Sequence, residues 1–238
     1  MRDQLRFGLI QIRRPGDPVA ADEHHCFVRR LEVAPTQVAQ VDVFTESLDA
    51  SLYDRFDGLL IGGSGEFSVL DDVEPIRSLL RFLETTVERG MPTFGSCFGF
   101  QAMSLTLGGH VVHDGERAEV GTYELELTDH GNGDHLFGHL PESFLAQQGH
   151  KDHVMRLPDG VQNLATSQRS EHQAARFADL IWGTQFHPEL TLEDNSRRVL
   201  RYQERYAEDM EAVLDTFKPS PATHGLLARF ADVLAERE

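Results

Sequence analysis

The chain has 238 residues, of which 40% are hydrophobic, and a formal net charge of −17 at pH 7. A chain of that length can form one large α/β domain with its own core, and no Pro/Gly/Ser-rich linker divides it. The excess of negative charge argues against a nucleic-acid partner, because the phosphate backbone is bound through basic patches. No apolar run approaches the roughly 20 residues of a membrane span, so we expect no membrane partner.

The N-terminus and the cysteines bear on localisation. The segment MRDQLRFGLIQI lacks the long apolar region and the cleavage site of a signal peptide. Two cysteines, Cys26 and Cys97, are too few for a disulfide framework. We therefore expect a cytoplasmic protein, and in a reducing compartment a thiol is free to be catalytic.

Short apolar strands alternate with helices from the N-terminus to about residue 110. Strands are predicted at Phe7–Ile12, Val41–Phe44 and Asp57–Ile61, and in the apolar segment before Cys97. Helices are predicted at Asp22–Leu31 and Pro75–Arg89. This alternation is typical of a parallel sheet that is covered by helices on both faces.

The pattern changes between Gly108 and Phe186, where short alternating strands follow one another. Examples are Val120–Leu127 and Phe144–Gln147, and Leu180–Phe186 returns to a buried strand. We expect these segments to add strands to the sheet and to form a small antiparallel annex.

The C-terminal part of the chain is predicted to be helical. Two amphipathic helices, Glu193–Phe217 and Gly225–Ala235, are separated by the Pro-rich segment KPSPATHG. We expect residues 1–190 to form the main domain and residues 191–238 to form a helical extension packed on it. Such helices also offer a surface for a homodimer.

Cys97 lies where a predicted strand turns into a helix. The sequence FGSCFGFQAM places Gly95 and Gly99 at equal distances on either side of it. A nucleophile on such a strained turn stands at the top of the sheet, and small neighbours relieve the crowding. The N-terminus of the following helix favours a thiolate and can hold a developing oxyanion. The alternative is a buried structural cysteine beside turn glycines.

A histidine and a carboxylate, His187 and Glu189, lie far downstream in GTQFHPEL, at the end of a predicted buried strand. Because they are two residues apart, both side chains can point the same way, and Pro188 stiffens the segment between them. A histidine beside a carboxylate, near a cysteine, is the arrangement of nucleophile, base and orienting group. The alternative for His187 is a structural histidine whose ring nitrogens simply form hydrogen bonds within the fold.

The sequence GSCFGFQ followed by GTQFHPE closely resembles the class I, or triad, glutamine amidotransferases, and in particular the amidotransferase domain of GMP synthetases. The resemblance extends from roughly residue 5 to residue 190. It implies an α/β fold with an open, mostly parallel, flavodoxin-like twisted sheet and helices on both faces. It also implies that Cys97 is the nucleophile and that His187 and Glu189 complete a catalytic triad.

The glycine cluster IGGSGEFSV lies where this family has its second oxyanion-hole loop. The resemblance implies that the backbone N–H of Gly63 joins that of Phe98 in holding an oxyanion. The family usually has Gly-Gly-Pro at this point, whereas Ser64 follows Gly63 here. A plain glycine-rich turn after a strand is the alternative.

The resemblance also implies a set of substrate contacts. Gln101 matches a glutamine that lies near the bound substrate in the family, and a solvent-facing helix residue is the alternative. The segment GHKDHV resembles the stretch that helps hold the α-amino and α-carboxylate groups of glutamine. We accordingly place His150, Lys151 and Asp152 at the substrate pocket.

No metal or organic cofactor is expected. His135 and His139 lie four residues apart, and His150 and His153 lie three apart. Neither pair has a cysteine beside it or a third ligand on a clear helix, so both are interpreted as surface or loop histidines. Cys26, in EHHCFVRRL, is interpreted as a helix residue that faces core or solvent.

Three functions remain open. The resemblance implies cysteine-dependent hydrolysis of the γ-amide of glutamine through a γ-glutamyl thioester, with ammonia passing to the acceptor reaction of a synthetase partner. A γ-glutamyl peptidase or hydrolase would need no acceptor and fits an isolated domain equally well. A redox or stress protein of the related fold is the third, and His187 and Glu189 argue against it, because a sensor thiol needs no triad.

Overall fold

The structure is a computed structural model that describes residues 2–202 and 210–236. Its strands are β1 (Phe7–Gln11), β2 (Val38–Asp42), β3 (Gly58–Ile61), β4 (Thr93–Ser96), β5 (His110–His113), β6 (Glu119–Leu127), β7 (Ser143–His150), β8 (Asp152–Arg156), β9 (Gln162–Ser167), β10 (Ala174–Ala178) and β11 (Ile181–Thr184). Its α-helices are α1 (Val19–Leu31), α2 (Ser51–Arg55), α3 (Glu74–Glu88), α4 (Phe98–Thr106), α5 (Asp129–Gly133), α6 (Leu192–Arg201), α7 (Met210–Leu214) and α8 (Leu226–Ala235). Short 3₁₀ helices cover Arg2–Gln4, Pro35–Gln37, Gly115–Arg117 and Pro221–Gly225.

Within these residues nine strands form one sheet in the order β2-β1-β3-β4-β11-β10-β9-β6-β7. The strands from β2 to β11 in that order are parallel, and the pairings beyond β11 are antiparallel. Strands β5 and β8 pair separately as a two-stranded antiparallel sheet, which is the predicted annex. The α/β fold class is therefore confirmed, and the second half of the chain adds strands to the sheet as predicted.

Neighbouring side chains of the parallel strands enter two different cores. Leu9 of β1 lies in the core that contains Phe27 of α1 and Phe230 of α8. The next residue, Ile10, lies in the core that contains Leu79 of α3. Helices therefore cover both faces, and this explains why the parallel strands are short uninterrupted apolar runs.

Most predicted elements begin and end within a few residues of the observed ones, and two differ more. Strand β2 covers Val38–Asp42 instead of Val41–Phe44. It lies at the edge of the sheet, and only its residues Val38 and Val41 are buried, so an apolar run in the sequence does not mark where it begins and ends. In the predicted helix Glu193–Phe217, α6 ends at Arg201 and α7 covers only Met210–Leu214. Residues 203–209 of that prediction lie outside the described residues.

The C-terminal helices pack on the rest of the molecule. Asn195 of α6 donates a hydrogen bond to the Gln148 carbonyl of β7 at 3.0 Å, and Asp194 forms an ion pair with Arg29 of α1. Helix α8 packs on α1 through the core around Phe230. The division of the chain at residue 190 stays a prediction.

Over the ranges 2–202 and 210–236, none of the helices has the length and apolar character to cross a membrane.

Candidate active site

Cys97 occupies the corner between β4 and α4. Its backbone has φ 51° and ψ −96°, a strained conformation for a residue other than glycine. Its N–H donates to the Thr184 carbonyl of the neighbouring strand β11 at 2.7 Å. A Cβ at Gly99 would lie 2.8 Å from the Cβ of Ile61 in β3, so a glycine there lets α4 approach the sheet closely. The sequence motif thus produces the expected strand-to-helix turn, with Cys97 only 6% exposed.

His187 and Glu189 follow β11, the strand next to β4. Because neighbouring parallel strands end at the same edge of a sheet, these two chain segments meet there. The ring Nδ1 of His187 lies 2.7 Å from Oε1 of Glu189, and both side chains are buried. A Cβ built on Gly63 would lie 2.9 Å from Cε1 of His187 and 3.8 Å from Cβ of Cys97. The cysteine, the imidazole and the carboxylate therefore come together at one point, as the two motifs predict.

Two further buried side chains hold the Glu189 carboxylate. The Ser96 hydroxyl donates to Oε2 at 2.8 Å, and Nη1 of Arg198 donates to Oε1 at 3.4 Å. Neither residue is among the site residues that the sequence motifs predict. Ser96 could have been found as a buried polar residue next to Cys97, whereas Arg198 reaches the site from α6 only through the tertiary fold.

The buried histidine–carboxylate pair has strongly shifted pKa values. Burial lowers the pKa of His187, but the charges of Glu189 and Cys97 outweigh burial and raise this pKa to about 10. Burial raises the pKa of Glu189, but His187 and then Arg198 outweigh it and lower this pKa to about 2. Near neutral pH the pair is therefore an imidazolium and a carboxylate.

The glycine loop after β3 lies beside Cys97 and His187. Its first residue, Gly62, donates its N–H to the Ile10 carbonyl at 3.1 Å, which ties the loop to β1. Among residues 2–202 and 210–236, no acceptor faces the N–H of Gly63 or of Phe98. Phe98 is the first residue of α4, where N–H groups have no partner within the helix. Phe98 follows Cys97 directly, and Gly63 lies beside it.

A pocket of about 150 Å³ opens beside Cys97. We call it the cysteine pocket; its wall includes Ser64, Gly65, Cys97, Phe98, Gln101, Gly149, His150, Lys151 and Asp152. The structure therefore brings all the sequence-predicted substrate residues to one space. The GHKDHV segment contributes the end of β7 and the start of β8 to this wall.

Gln101 is buried and does not face solvent. Its Nε2 donates to the Asp152 carbonyl at 2.7 Å and to Oε1 of Gln185 at 3.1 Å. Gln185 in turn donates to Sγ of Cys97 at 3.6 Å. A chain of two amides thus joins the pocket wall to the sulfur. Gln185 is absent from the predicted site, although it precedes His187 by two residues in the same motif.

Two hydrogen-bond networks hold the predicted pocket residues. The ring nitrogens of His150 lie 3.0 Å from the Asp152 carbonyl and 3.0 Å from Oε2 of the buried Glu119. The Asp152 carboxylate accepts from Ser68 at 2.5 Å and lies 2.6 Å from Nδ1 of His113. Glu119, Ser68 and His113 come from separate segments, and nothing in the sequence marks them as neighbours of this site.

Cys26 lies in α1, apart from the cysteine pocket, and is buried. Burial raises the pKa of its thiol to about 12, so the thiol is unreactive near neutral pH. It lies within metal-ligand distance of Asp22 and Asp194. Arg29 and Arg197, however, already form ion pairs with Asp194. The group is an ion-pair network around a core cysteine.

Gly63→Ala is expected to lower the turnover of glutamine, the substrate that the resemblance implies, by about 10²-fold. The Cβ of the new alanine would displace the His187 ring by a few tenths of an ångström or more. Gly133→Ala is the matched control, because its Cβ would meet nothing within 4 Å. Steady-state rates and thermal unfolding of both variants check the prediction. Equal rates in the two variants would contradict the close approach of Gly63 to His187.

Comparisons with known proteins identify the family of this chain. A sequence profile of the family described as glutamine amidotransferase class-I matches residues 24–204. The glutamine-hydrolyzing GMP synthase of Aspergillus fumigatus is 31% identical over 186 residues, which cover 74% of this chain and 31% of that one. One of the subunits of the glutamine-hydrolyzing GMP synthase of Pyrococcus abyssi is 33% identical over 122 residues, which cover 51% of this chain and 63% of that one.

Solved structures show the same fold. A glutamine amidotransferase from Thermotoga maritima superposes with a TM-score of 0.75 at 21% identity and covers 98% of each chain. The chain spans about a third of the length of the fungal GMP synthase that it matches. The family profile covers more than half of the chain. The chain belongs to the class-I glutamine amidotransferase family.

Proposed function

We propose that this protein hydrolyses the γ-amide of glutamine, with Cys97 as the nucleophile, His187 as the acid and base, and Glu189 as the group that orients His187. The observation that carries the proposal is the meeting of Cys97, His187 and Glu189 beside the glycine loop. A cysteine on a strained turn, a protonated imidazole and a buried carboxylate are the parts that nucleophilic acyl transfer needs.

In the first half of the reaction the Cys97 sulfur attacks as a thiolate and forms a bond to the amide carbon of glutamine. The carbonyl electron pair moves to oxygen, and the N–H groups of Gly63 and Phe98 stabilise the oxyanion. His187 then gives its proton to the departing nitrogen, the C–N bond breaks, and ammonia leaves. The product on the enzyme is a γ-glutamyl thioester of Cys97.

In the second half a water attacks the thioester carbon while neutral His187 accepts its proton. The charge of Cys97 is one of the influences that raise the pKa of His187. Acylation removes that charge, so His187 becomes a better base at the stage that requires one. The C–S bond then breaks, and glutamate and the free cysteine are restored.

The likeness to GMP synthases supports an acceptor for the ammonia. The fungal relatives are about three times as long as the matched segment, and the Pyrococcus abyssi relative is named as one subunit of its synthase. We propose that a synthetase partner consumes the ammonia, that the substrate pocket is the cysteine pocket, and that Gln101, His150, Lys151 and Asp152 bind the glutamine in it. The cytoplasmic location and a homodimer stay predictions.

A glutamine analogue with a diazoketone in place of the amide tests this proposal without any partner. We expect one covalent adduct per chain, located by peptide mass spectrometry on Cys97, and loss of the adduct in the presence of excess glutamine. Cys26 is the internal control, since it is buried away from the pocket. An adduct on Cys26, or none at all, would refute the assignment.

A further inference from the structure

The nucleophile and the base line different spaces. Cys97 lines the cysteine pocket, whereas His187 lines a second, smaller cavity of about 20 Å³. We call this cavity the histidine chamber; its walls include Arg13, Gly63, Gly65, His187, Arg198 and Tyr202. The two cavities share Ser64, Gly65 and Gly149, so they adjoin at the reacting centre.

The chemistry assigns one part of the substrate to each space. The acyl carbon bonds to the sulfur, so the γ-glutamyl group lies in the cysteine pocket. The departing nitrogen must lie within hydrogen-bond reach of His187 to take its proton. The leaving group therefore lies on the side of the histidine chamber.

The chamber is large enough for one molecule of the size of water. A cavity needs roughly 10–15 Å³ to hold a water, so the chamber, with about 20 Å³ and an opening to solvent, has room for one such molecule between its walls. Ammonia has that size. A leaving group with more heavy atoms would press against Tyr202 and the other wall residues.

Tyr202 forms that wall and is held in place. Its ring lies so close to Gly65 that a Cβ there would clash with it. Its hydroxyl donates to Asp17 at 2.9 Å and accepts from Arg13 at 3.3 Å. Arg13 is itself buried and paired with Glu23 at 2.8 Å. The wall is therefore a hydrogen-bonded unit.

The two guanidinium groups of the chamber are paired with carboxylates. Arg13 pairs with Glu23 at 2.8 Å, and Arg198 pairs with Glu189 at 3.4 Å, although its Nη2 has no hydrogen-bond partner in the part of the chain that the structure describes. Their charges are therefore offset, and the size of the chamber is what selects among leaving groups.

We propose that the histidine chamber receives the leaving group and that Tyr202 restricts the enzyme to substrates that release ammonia. This inference rests on the proposed function and decides between glutamine and γ-glutamyl peptides as its substrate class. Tyr202 is then a specificity-determining residue.

Three substrates of increasing leaving-group size test it: glutamine, γ-glutamylethylamide and γ-glutamylglycine. For the wild-type enzyme we expect kcat/KM to fall by about tenfold or more with each increase in the size of the leaving group, because extra atoms in a packed site force side chains out of place. For Tyr202→Ala we expect the ratio of the kcat/KM for γ-glutamylglycine to that for glutamine to rise by about tenfold or more, because removal of the ring makes room for the larger leaving group. Tyr53→Ala is the matched control: Tyr53 stacks on Phe82 of α3, away from the chamber, so its ratios should equal those of the wild type.

The outcomes separate the two proposals. Similar kcat/KM for glutamine and γ-glutamylglycine in the wild type, with both lost in Cys97→Ala, would overturn the chamber proposal and leave the cysteine mechanism standing. Unchanged ratios in a folded Tyr202→Ala would also overturn it. If that variant does not fold, the wild-type series decides alone. Turnover of none of the three substrates, and no γ-glutamyl thioester on Cys97, would overturn the proposed function and this inference with it.

Discussion

Replacing Cys97 by alanine is expected to lower glutamine hydrolysis by a factor of at least about 10⁴, since the other groups cannot form the thioester without a nucleophile. The measurement is the rate of glutamate release under saturating glutamine. Cys26→Ala removes the other thiol and is the matched control, and we expect it to keep the wild-type rate. Residual turnover above about 1% in Cys97→Ala would show that another group attacks the amide.

The same position also offers a stability test. At φ 51° and ψ −96° a Cβ is strained, and that strain costs about 1–3 kcal/mol. Cys97→Gly should therefore unfold at a higher temperature than Cys97→Ala, although glycine usually destabilises a folded chain. If Cys97→Gly were less stable than Cys97→Ala by the ordinary cost of glycine, about 0.5–1 kcal/mol, the corner would not be strained.

The parallel half of the fold could be predicted because it depends on local patterns. Phe7–Gln11 and Gly58–Ile61 are apolar almost throughout, and a strand buried on both faces requires that composition. Strands β9 and β10 were not predicted one by one. They are short, and several of their residues, such as Gln162 and Arg176, are polar, so their strand character depends on the pairing partners.

The proximity of Cys97, His187 and Glu189 could be predicted because these residues sit in two compact motifs at the ends of neighbouring strands. The arginine side chains that support these residues could not. Arg198 reaches Glu189 from α6, and Arg13 reaches the glycine loop from the segment after β1. Such contacts join segments far apart in the chain, and no periodicity or spacing in the sequence encodes them. The histidine chamber is likewise visible only once β11, α6 and the glycine loop are packed together.

These supporting contacts connect the fold to the chemistry. Oε1 of Glu189 faces both His187 and Arg198, and Oε2 accepts from Ser96, so both carboxylate oxygens are held. A carboxylate fixed in this way can only accept a hydrogen bond from Nδ1 of His187. In the proposed mechanism, that leaves Nε2 as the nitrogen that exchanges a proton with the reacting groups.

Glu189→Gln is therefore expected to lower kcat by about 10³–10⁴-fold while leaving the fold intact. The amide NH₂ can turn toward Nδ1 of His187 and would then fix the wrong tautomer, in which Nε2 cannot accept a proton. Glu193→Gln, an exposed carboxylate four residues along the chain, is the matched control and should keep the wild-type rate. A loss of less than about tenfold would mean that Glu189 does not orient the base.

The pH dependence of kcat/KM gives the second readout of this variant. In the wild type the protonated His187 is needed to release ammonia, so activity is lost as pH rises through its raised pKa of about 10. Glu189 is the leading influence that raises this pKa against the effect of burial. Its removal should shift the alkaline limb of the profile toward lower pH, whereas Glu193→Gln should leave the limb in place. An alkaline limb that stays at the wild-type position in Glu189→Gln would show that another group supplies the proton, even if the rate itself falls.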